Sequence, residues 1–157
     1  MRTRHIYNVD FPSLALDRDN QPHIAWYDTA AQDLRYATYN GTTWQIAILD
    51  SDGDVGQYAS LDVDRLGRVY IPYYDAGNQD LKYAVFDGSA WTTTTLLHEG
   101  DIGAFSKLVM PYAGYPAIAY YDAVTRDLML IYRPFTPTNF SYMPVFPAAG
   151  SYRPGVN

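Results

Sequence analysis

Short apolar and aromatic runs alternate along the chain with turns made of Asp, Asn, Gly and Pro. The first four runs lie at residues 13–17, 23–28, 34–39 and 44–49. Each has the length of a β-strand, and the Asn-Gly pair at 40–41 is typical of a tight hairpin turn because both residues tolerate positive φ. No window of helical length shows the 3.6-residue periodicity of an amphipathic helix. The pattern predicts antiparallel β-structure with almost no helix.

The same pattern returns after 47 residues. The stretch DLRYATYNGTTW at 33–44 recurs as DLKYAVFDGSAW at 80–91, and a third, weaker copy begins at Ser106. A fixed period of this size indicates a repeat architecture, and four antiparallel strands per unit form the blade of a β-propeller. We therefore predict an all-β fold of about three four-stranded blades, with a β-sandwich as the structural alternative.

We expect a single partial propeller domain over residues 1–157. Its three repeats are placed at about 13–59, 60–105 and 106–133. Residues 4–10 read as an orphan outer strand without a blade of its own, whereas the third repeat lacks a clear fourth strand. Residues 134–157 are rich in Pro and are expected to form an irregular arm, although 140–146 is the alternative source of the missing strand.

Three blades are too few to close a propeller ring, which typically has four to eight. Two chains would supply six blades, and the N-terminal strand of each chain would complete the third blade of the other. The sequence therefore predicts a homodimer that closes a six-bladed ring. The alternative is that this chain is part of a longer propeller.

The repeats carry a family resemblance. The pattern SLALD…PHIAWYD…DLRYA…NGTTW resembles the tandem repeats of bacterial sialidase-like (BNR-type) propeller proteins over about residues 10–133. The Gly-x-Thr-Trp of NGTTW is similar to the end of their Asp-box turn. Tyr39 and Phe86 stand at the position of the aspartate of that box, so these turns are degenerate. The resemblance implies a propeller fold.

The resemblance also implies a catalytic set that this chain does not match. Sialidases of that superfamily use an arginine triad, a tyrosine nucleophile paired with a glutamate, and an acid/base aspartate. Here Glu99 is the one glutamate, and Arg35 aligns with Lys82 and Met129 in the later repeats. We therefore favour a non-enzymatic protein without catalytic residues or a cofactor. A degenerate sialidase-like glycosidase or lyase is the alternative.

Charge and composition exclude several other classes of protein. The chain has 17 acidic and 11 basic residues and a net charge of -6, which argues against a nucleic-acid partner. It has no cysteine, and the DSDGDVG stretch has Val55 and Leu61 where a calcium-binding EF-hand loop needs Gly and Glu. We therefore predict no metal site. No apolar run is long enough to span a membrane or to form a signal peptide, so the localisation is left unassigned; an extracellular location would require that a leader has been trimmed.

Candidate ligand-binding residues lie where the second strand of each repeat ends. Most acidic residues fall at this edge of the predicted blades, and a Tyr-Asp pair recurs there three times. The six residues are Tyr27, Asp28, Tyr74, Asp75, Tyr121 and Asp122. An aromatic ring can stack on a sugar while a carboxylate accepts its hydroxyl hydrogens, so the pairs favour lectin-like glycan binding. The alternative for these pairs is structural: the tyrosines pack between blades and the aspartates accept backbone N–H bonds. The protein would then be a structural or protein-interaction scaffold that uses its acidic face.

Overall fold

The computed structural model describes residues 7–110, 115–132 and 141–144, and this part of the chain is built from β-strands without a helix. The strands are β1 Val9–Leu16, β2 Pro22–Asp28, β3 Asp33–Tyr39, β4 Trp44–Asp50, β5 Val55–Gln57, β6 Asp62–Val63, β7 Val69–Asp75, β8 Asp80–Phe86, β9 Trp91–Leu97, β10 Ile102–Val109, β11 Ala117–Asp122, β12 Asp127–Tyr132 and β13 Ser141–Pro144. Within the described ranges, no helix is long and apolar enough to cross a membrane.

The strands form three antiparallel sheets, which confirms the predicted all-β, propeller-like fold. Blade 1 has the order β1-β2-β3-β4, blade 2 the order β5-β7-β8-β9, and blade 3 the order β10-β11-β12-β13. The short strand β6 also pairs with β7, so β5 and β6 together occupy the place that β1 and β10 fill with one strand each. Each blade is therefore an up-and-down sheet of consecutive strands.

The first strand of each blade begins earlier than the sequence pattern indicates. β1 starts at Val9 rather than at Ser13, and Val9 and Asp10 pair with Asp28 and Tyr27 of β2. These two residues were expected to lie in the orphan outer strand 4–10, and the structure instead makes them part of blade 1. Residues 4–6 lie outside the described part of the chain.

Blade 3 obtains its fourth strand from the same chain. β13, at residues 141–144, pairs antiparallel with β12, with Met129 opposite Pro144 and Tyr132 opposite Ser141. The expectation of an irregular arm over 134–157 is therefore wrong for these four residues, and the alternative source of the strand is the one observed. Pro144 is compatible with this place because β13 is an edge strand, where a missing N–H disrupts no second ladder. The rest of that segment lies outside the described residues.

The hydrophobic core lies between the blades. One cluster joins blades 1 and 2, and a second joins blades 2 and 3. Every residue of β7 is buried, because the middle blade is covered on both faces. This is why the strands of the sequence read as continuous apolar and aromatic runs rather than as alternating ones.

Candidate functional site

The tyrosines of the first two Tyr-Asp pairs connect neighbouring blades. The hydroxyl of Tyr27 donates to Oδ1 of Asp54 at 2.7 Å, and that of Tyr74 donates to Oδ1 of Asp101 at 2.7 Å. Both rings are buried, and each acceptor lies at the start of the following blade. Burial, together with the hydrogen bond to the next blade, raises the pKa of both phenols. These rings therefore offer little free face for stacking on a ligand in the single chain.

The aspartates of the pairs stabilise the turn between the second and third strands of their blades. In each pair, Oδ1 accepts backbone N–H bonds from the residues that follow, at 2.9–3.2 Å. Asp28, Asp75 and Asp122 also lie directly opposite the aspartates that begin the next strand, so both carboxylates of each blade share one edge of the sheet. The structure thus places the six candidate residues at the predicted edge, one pair per blade, and it does not bring the pairs together into one site.

A buried ion-pair network occupies this edge between blades 1 and 2. Nζ of Lys82 lies 2.6 Å from Oδ2 of Asp50 and 3.8 Å from Oδ2 of Asp75, and the hydroxyl of Tyr73 donates to the same oxygen of Asp50 at 2.6 Å. Burial alone would raise the pKa of Asp50, but the hydrogen bonds from Lys82, Tyr73 and the backbone N–H of Asp52, together with the lysine charge, outweigh burial and hold that pKa below its usual value. The lysine therefore lies between two carboxylates that the fold brings together, and its single charge offsets one of their two.

Blade 1 has an arginine at the corresponding position, and blade 3 has no cation there. Nη2 of Arg35 lies 3.2 Å from Oδ2 of Asp33, and its Nε lies 3.4 Å from Oδ2 of Asp28. Met129 follows Lys82 by 47 residues in the same place on the third strand of its blade. The acidic edge is thus compensated in blades 1 and 2 by a cation that blade 3 replaces with a thioether.

A cleft of about 330 Å³ opens at this place between blades 2 and 3, and we call it the interblade cleft. It is lined by Leu96, Leu97, His98, Glu99, Ile102, Tyr120, Asp122 and Met129. Leu97 and Met129 stand where Asp50 and Lys82 form the ion pair in the preceding interface. The cleft therefore occupies, in the second interface, the position that the Asp50–Lys82 ion pair fills in the first.

The interblade cleft combines an apolar floor with a polar rim. Tyr120 and Ile102 are buried, whereas the side chains of His98 and Glu99 are exposed at the end of β9. Asp122 is half-buried and contributes a second carboxylate. Such a surface suits a ligand with hydroxyl groups on one side and a hydrocarbon face on the other, because carboxylates accept hydroxyl hydrogens and the apolar floor covers C–H groups. Among the described residues, no three or more potential metal ligands form a cluster.

A second cleft of about 300 Å³ lies at the opposite edge, between blades 1 and 2. Its wall contains His23, Tyr36, Gln45 and Trp91, and the rings of Tyr36 and Trp91 meet edge to face at 4.8 Å. The imidazole of His23 is hydrogen-bonded to the Tyr36 hydroxyl, and burial raises the pKa of that phenol to about 12. Its aromatic residues pack the two blades together, so this cleft ranks below the interblade cleft as a ligand site.

The sequence analysis did not select most of the residues of the interblade cleft. Asp122 was a candidate and belongs to the cleft, but Tyr120 and Met129 were not candidates. The signal was present in the series Arg35, Lys82 and Met129, which was used only to argue against a sialidase mechanism. This position is cationic in two repeats and apolar in the third, and the apolar residue lies in the interface that contains the cleft.

Comparison with known proteins gives a likeness in fold. No family model matches the chain, and no curated protein matches it either. Among solved structures, the chain is similar to a fucose lectin from Kordia zhangzhouensis in complex with methyl-fucoside, with 13% sequence identity and a TM-score of 0.57. The alignment covers 90% of this chain and 98% of the lectin chain. At this identity, the likeness shows that the chain shares the fold of that lectin.

Proposed function

We propose that this protein is a non-enzymatic, lectin-like glycan-binding propeller and that one sugar unit binds in the interblade cleft of each chain. The observation that supports this proposal is the replacement of the Asp50–Lys82 ion pair by Leu97 and Met129, which leaves an open cleft beside two carboxylates. A volume of about 330 Å³ is at the lower end of the range of small-ligand clefts, which suits one or two sugar rings rather than a long chain.

The chemistry of the cleft fits a sugar better than it fits the alternatives. Glu99 and Asp122 can accept hydrogen bonds from vicinal hydroxyls, and the Tyr120–Met129 floor can cover the C–H face of a pyranose. The resemblance of the fold to a lectin described with methyl-fucoside supports the same class of ligand at a coarse level. The repeats resemble those of sialidase-like propellers, and this resemblance supports only the propeller fold. A homodimer that closes a six-bladed ring is part of the proposal, and it would carry two such clefts.

The proposal makes a different prediction from the Tyr-Asp hypothesis. If the pairs at residues 27/28, 74/75 and 121/122 each bound a sugar, titration would give three sites per chain. Binding in the interblade cleft gives one site per chain. Isothermal titration calorimetry with a sugar identified on a glycan array, with methyl-fucoside among the first ligands tested, separates the two stoichiometries.

The decisive variant is Met129→Lys, which places in blade 3 the cation that blade 2 already accommodates. The new ammonium should pair with Asp122 and fill the cleft, so that the sugar loses a charge-assisted hydrogen bond worth about 1.5–3 kcal/mol, or about 10- to 150-fold in Kd. Leu66→Lys is the matched control, because Leu66 is 76% exposed in a turn of blade 2 and receives the same charge. The control should bind the sugar as the parent protein does.

Two results would contradict the proposal. One is a Met129→Lys protein that retains its melting temperature and binds the sugar with unchanged affinity. The other is a glycan array on which the parent protein binds nothing, which would favour the protein-interaction scaffold. Slow cleavage of an array sugar, followed by mass spectrometry of the released product, would instead support the degenerate glycosidase.

A further inference from the structure

The leading face of blade 1 is a blade-packing surface without a blade in front of it in the described chain. Leu61 and Leu108 hold equivalent places in blades 2 and 3 and are buried, with 5% and 8% exposure. Their backbone N–H groups donate to Oγ of serines on the preceding blade, at 2.9 Å in both cases. Leu14 lies 47 residues before Leu61 in β1 and is 64% exposed. Blade 1 thus exposes a leucine at the position where each of the other two blades buries one.

The trailing face of blade 3 is the complementary surface. Gly56 lies against the backbone of Leu34, and Gly103 lies against that of Leu81, so closely that an added Cβ would come within 2.7–2.8 Å of the leucine Cα. Both leucines are completely buried by this contact. Leu128 follows Leu81 by 47 residues, and it is 42% exposed because no blade of the described chain follows it. Blade 3 therefore presents an uncovered leucine where a following blade covers one in blades 1 and 2, and it has Lys107 where Ser13 and Ser60 accept the leucine N–H of the next blade.

A polar contact repeats in the same way. The second-strand tyrosines of blades 1 and 2 donate to Asp54 and Asp101 at the start of the next blade. Tyr121 holds that place in blade 3. Asn8 corresponds to Asp54 and Asp101 at the start of blade 1. In all three blades, the backbone carbonyl of this residue accepts the N–H of the residue that follows the second strand, at 2.8–2.9 Å. An asparagine side chain supplies the amide oxygen that a tyrosine hydroxyl in front of it would need.

An aromatic series runs along the first strands of the three blades. Phe11, Tyr58 and Phe105 are spaced by 47 residues, and all three have left-handed backbone conformations, with φ of 52°, 53° and 57°. Neighbouring rings lie 4.4 Å apart between centroids. Bulky residues adopt such a φ only where the surrounding structure holds them there. Phe105 is 62% exposed at one end of the series, and Phe11 begins it at the other end.

We propose that a second copy of this chain docks with its blade 1 on blade 3 of the first, and that the reciprocal contact closes a six-bladed ring. The second copy is the occupant because its leading face carries Leu14 and Phe11 in the places of the leucines and aromatic residues that blades 2 and 3 present to this kind of trailing face. β1 lacks the glycine bulge of β5 and β10, since Val9 and Asp10 pair in succession with β2, so its backbone would lie farther from Leu128 than Gly56 lies from Leu34. In the contact, Leu14 of one copy covers the Leu128 face of the other, Tyr121 donates to Asn8, and Phe105 stacks on Phe11. The inference does not depend on glycan binding.

The docking mode differs from the exchange of N-terminal strands that the sequence led us to expect. Blade 3 already has a fourth strand, β13, from its own chain, so it does not need one from a partner. The two copies therefore meet face to face, as successive blades do within the chain. A head-to-tail contact of this kind forms a closed ring if the rotation closes after two chains and an open filament if it does not.

Chain mass is the first test. Light scattering on a size-exclusion column at micromolar concentration should give twice the 17.7 kDa chain mass. Leu14→Asp and Leu128→Asp should each weaken the dimer at least 100-fold and give the single-chain mass at the same concentration. Leu66→Asp is the control, because Leu66 is more exposed than either and lies in a turn away from both faces, and it should remain a dimer.

Cross-linking tests the orientation without adding a charge to an apolar face. The chain has no cysteine, so Phe11→Cys/Phe105→Cys introduces the only two thiols. Oxidation should join this double variant into a covalent dimer on a denaturing gel, through a disulfide between residue 11 of one copy and residue 105 of the other. A disulfide needs Cα atoms within about 7 Å and therefore links only neighbouring positions of the series, so Phe11→Cys and Phe105→Cys alone should stay single chains. A covalent dimer from Phe105→Cys alone would mean that blade 3 packs on blade 3, which overturns the proposal. A monomeric parent protein, an open filament, or a dimer that survives Leu14→Asp would overturn it as well.

Discussion

The ion pair between Lys82 and Asp50 offers a quantitative test of how the blades are held together. Lys82→Met copies the residue that blade 3 has at this place, but it leaves Asp50 without its cation. The side chains of Lys82 and Asp50 are 13% and 7% exposed, and Asp75 brings a second carboxylate to within 3.8 Å of the same ammonium. Removing one partner of a buried pair typically costs about 3–5 kcal/mol. We expect the free energy of unfolding to fall by that amount.

The double variant Asp50→Leu/Lys82→Met should be more stable than Lys82→Met alone. It reproduces the apolar pair Leu97 and Met129 that the next interface already contains, so no uncompensated charge at residue 50 remains. One remaining cost is the lost acceptor of the Tyr73 hydroxyl, about 1–3 kcal/mol. Asp75 loses the same ammonium in both variants and keeps its hydrogen bonds from Asn78, so its cost cancels when the two variants are compared. The second substitution should therefore restore about 2 kcal/mol, or about 4–8 °C in melting temperature for a chain of this size.

Urea unfolding at pH 7, followed by tryptophan fluorescence, measures the three proteins on one scale. All samples must have the same chain concentration, because a dimer would make the apparent stability depend on it. Asp50→Leu completes the double-mutant cycle and gives the coupling energy of the pair. If the double variant is no more stable than Lys82→Met, then the carboxylate of Asp50 is not left uncompensated, and the reasoning about this interface is wrong.

Two further predictions concern backbone packing and pH. Gly103→Ala should lower the free energy of unfolding by about 1–3 kcal/mol more than the control Gly88→Ala. Both glycines have φ near +108°, but only at Gly103 would the new Cβ meet Leu81. Equal melting temperatures for the two variants would refute the clash. The folded state lowers the pKa of Asp50, so the stability that this carboxylate contributes is complete above its unfolded pKa of 3.8 and is lost as the pH falls through its folded pKa. The urea midpoint of the parent protein should therefore drop below about pH 4, and that of Asp50→Leu/Lys82→Met should drop less.

Much of the fold could be predicted because its determinants are local. The hairpin at 40–41 and the apolar run at 34–39 fix β3 and β4 to within one residue of the structure. The first strands were placed too late, because their beginnings carry glycine or aromatic residues with positive φ, a conformation that no strand pattern indicates. The fourth strand of blade 3 was only an alternative, since it lacks the Gly-x-x-Trp signal and ends at Pro144. Such features depend on neighbouring blades, which a single sequence does not display.

The candidate site was harder to predict, because the same residue type plays different roles in successive repeats. Asp75 and Asp122 occupy the same place and cap the same turn. They differ in what faces them: Lys82 closes the space beside Asp75, whereas Met129 leaves a cleft beside Asp122. The sequence pattern favoured all three Tyr-Asp pairs because they recur in every repeat. Recurrence identifies the scaffold, and the loss in blade 3 of the cation that blades 1 and 2 carry leaves the place where a ligand can enter.

The number of clefts per ring determines how tightly the protein would bind a surface that carries many glycans. One interblade cleft per chain gives two in the proposed ring, on opposite sides of its two-fold axis, rather than the six that a site in every blade would give. Two weak sites on one rigid body bind a dense glycan surface about 10²–10⁴-fold more tightly than one site does, provided that both can engage at once. Leu14→Asp should therefore abolish this gain on a glycan-coated surface while leaving the affinity for a free monosaccharide unchanged. If the monomeric variant instead lost affinity for the free sugar, the cleft would depend on the partner chain, and the site would have to lie at the interface between the two copies.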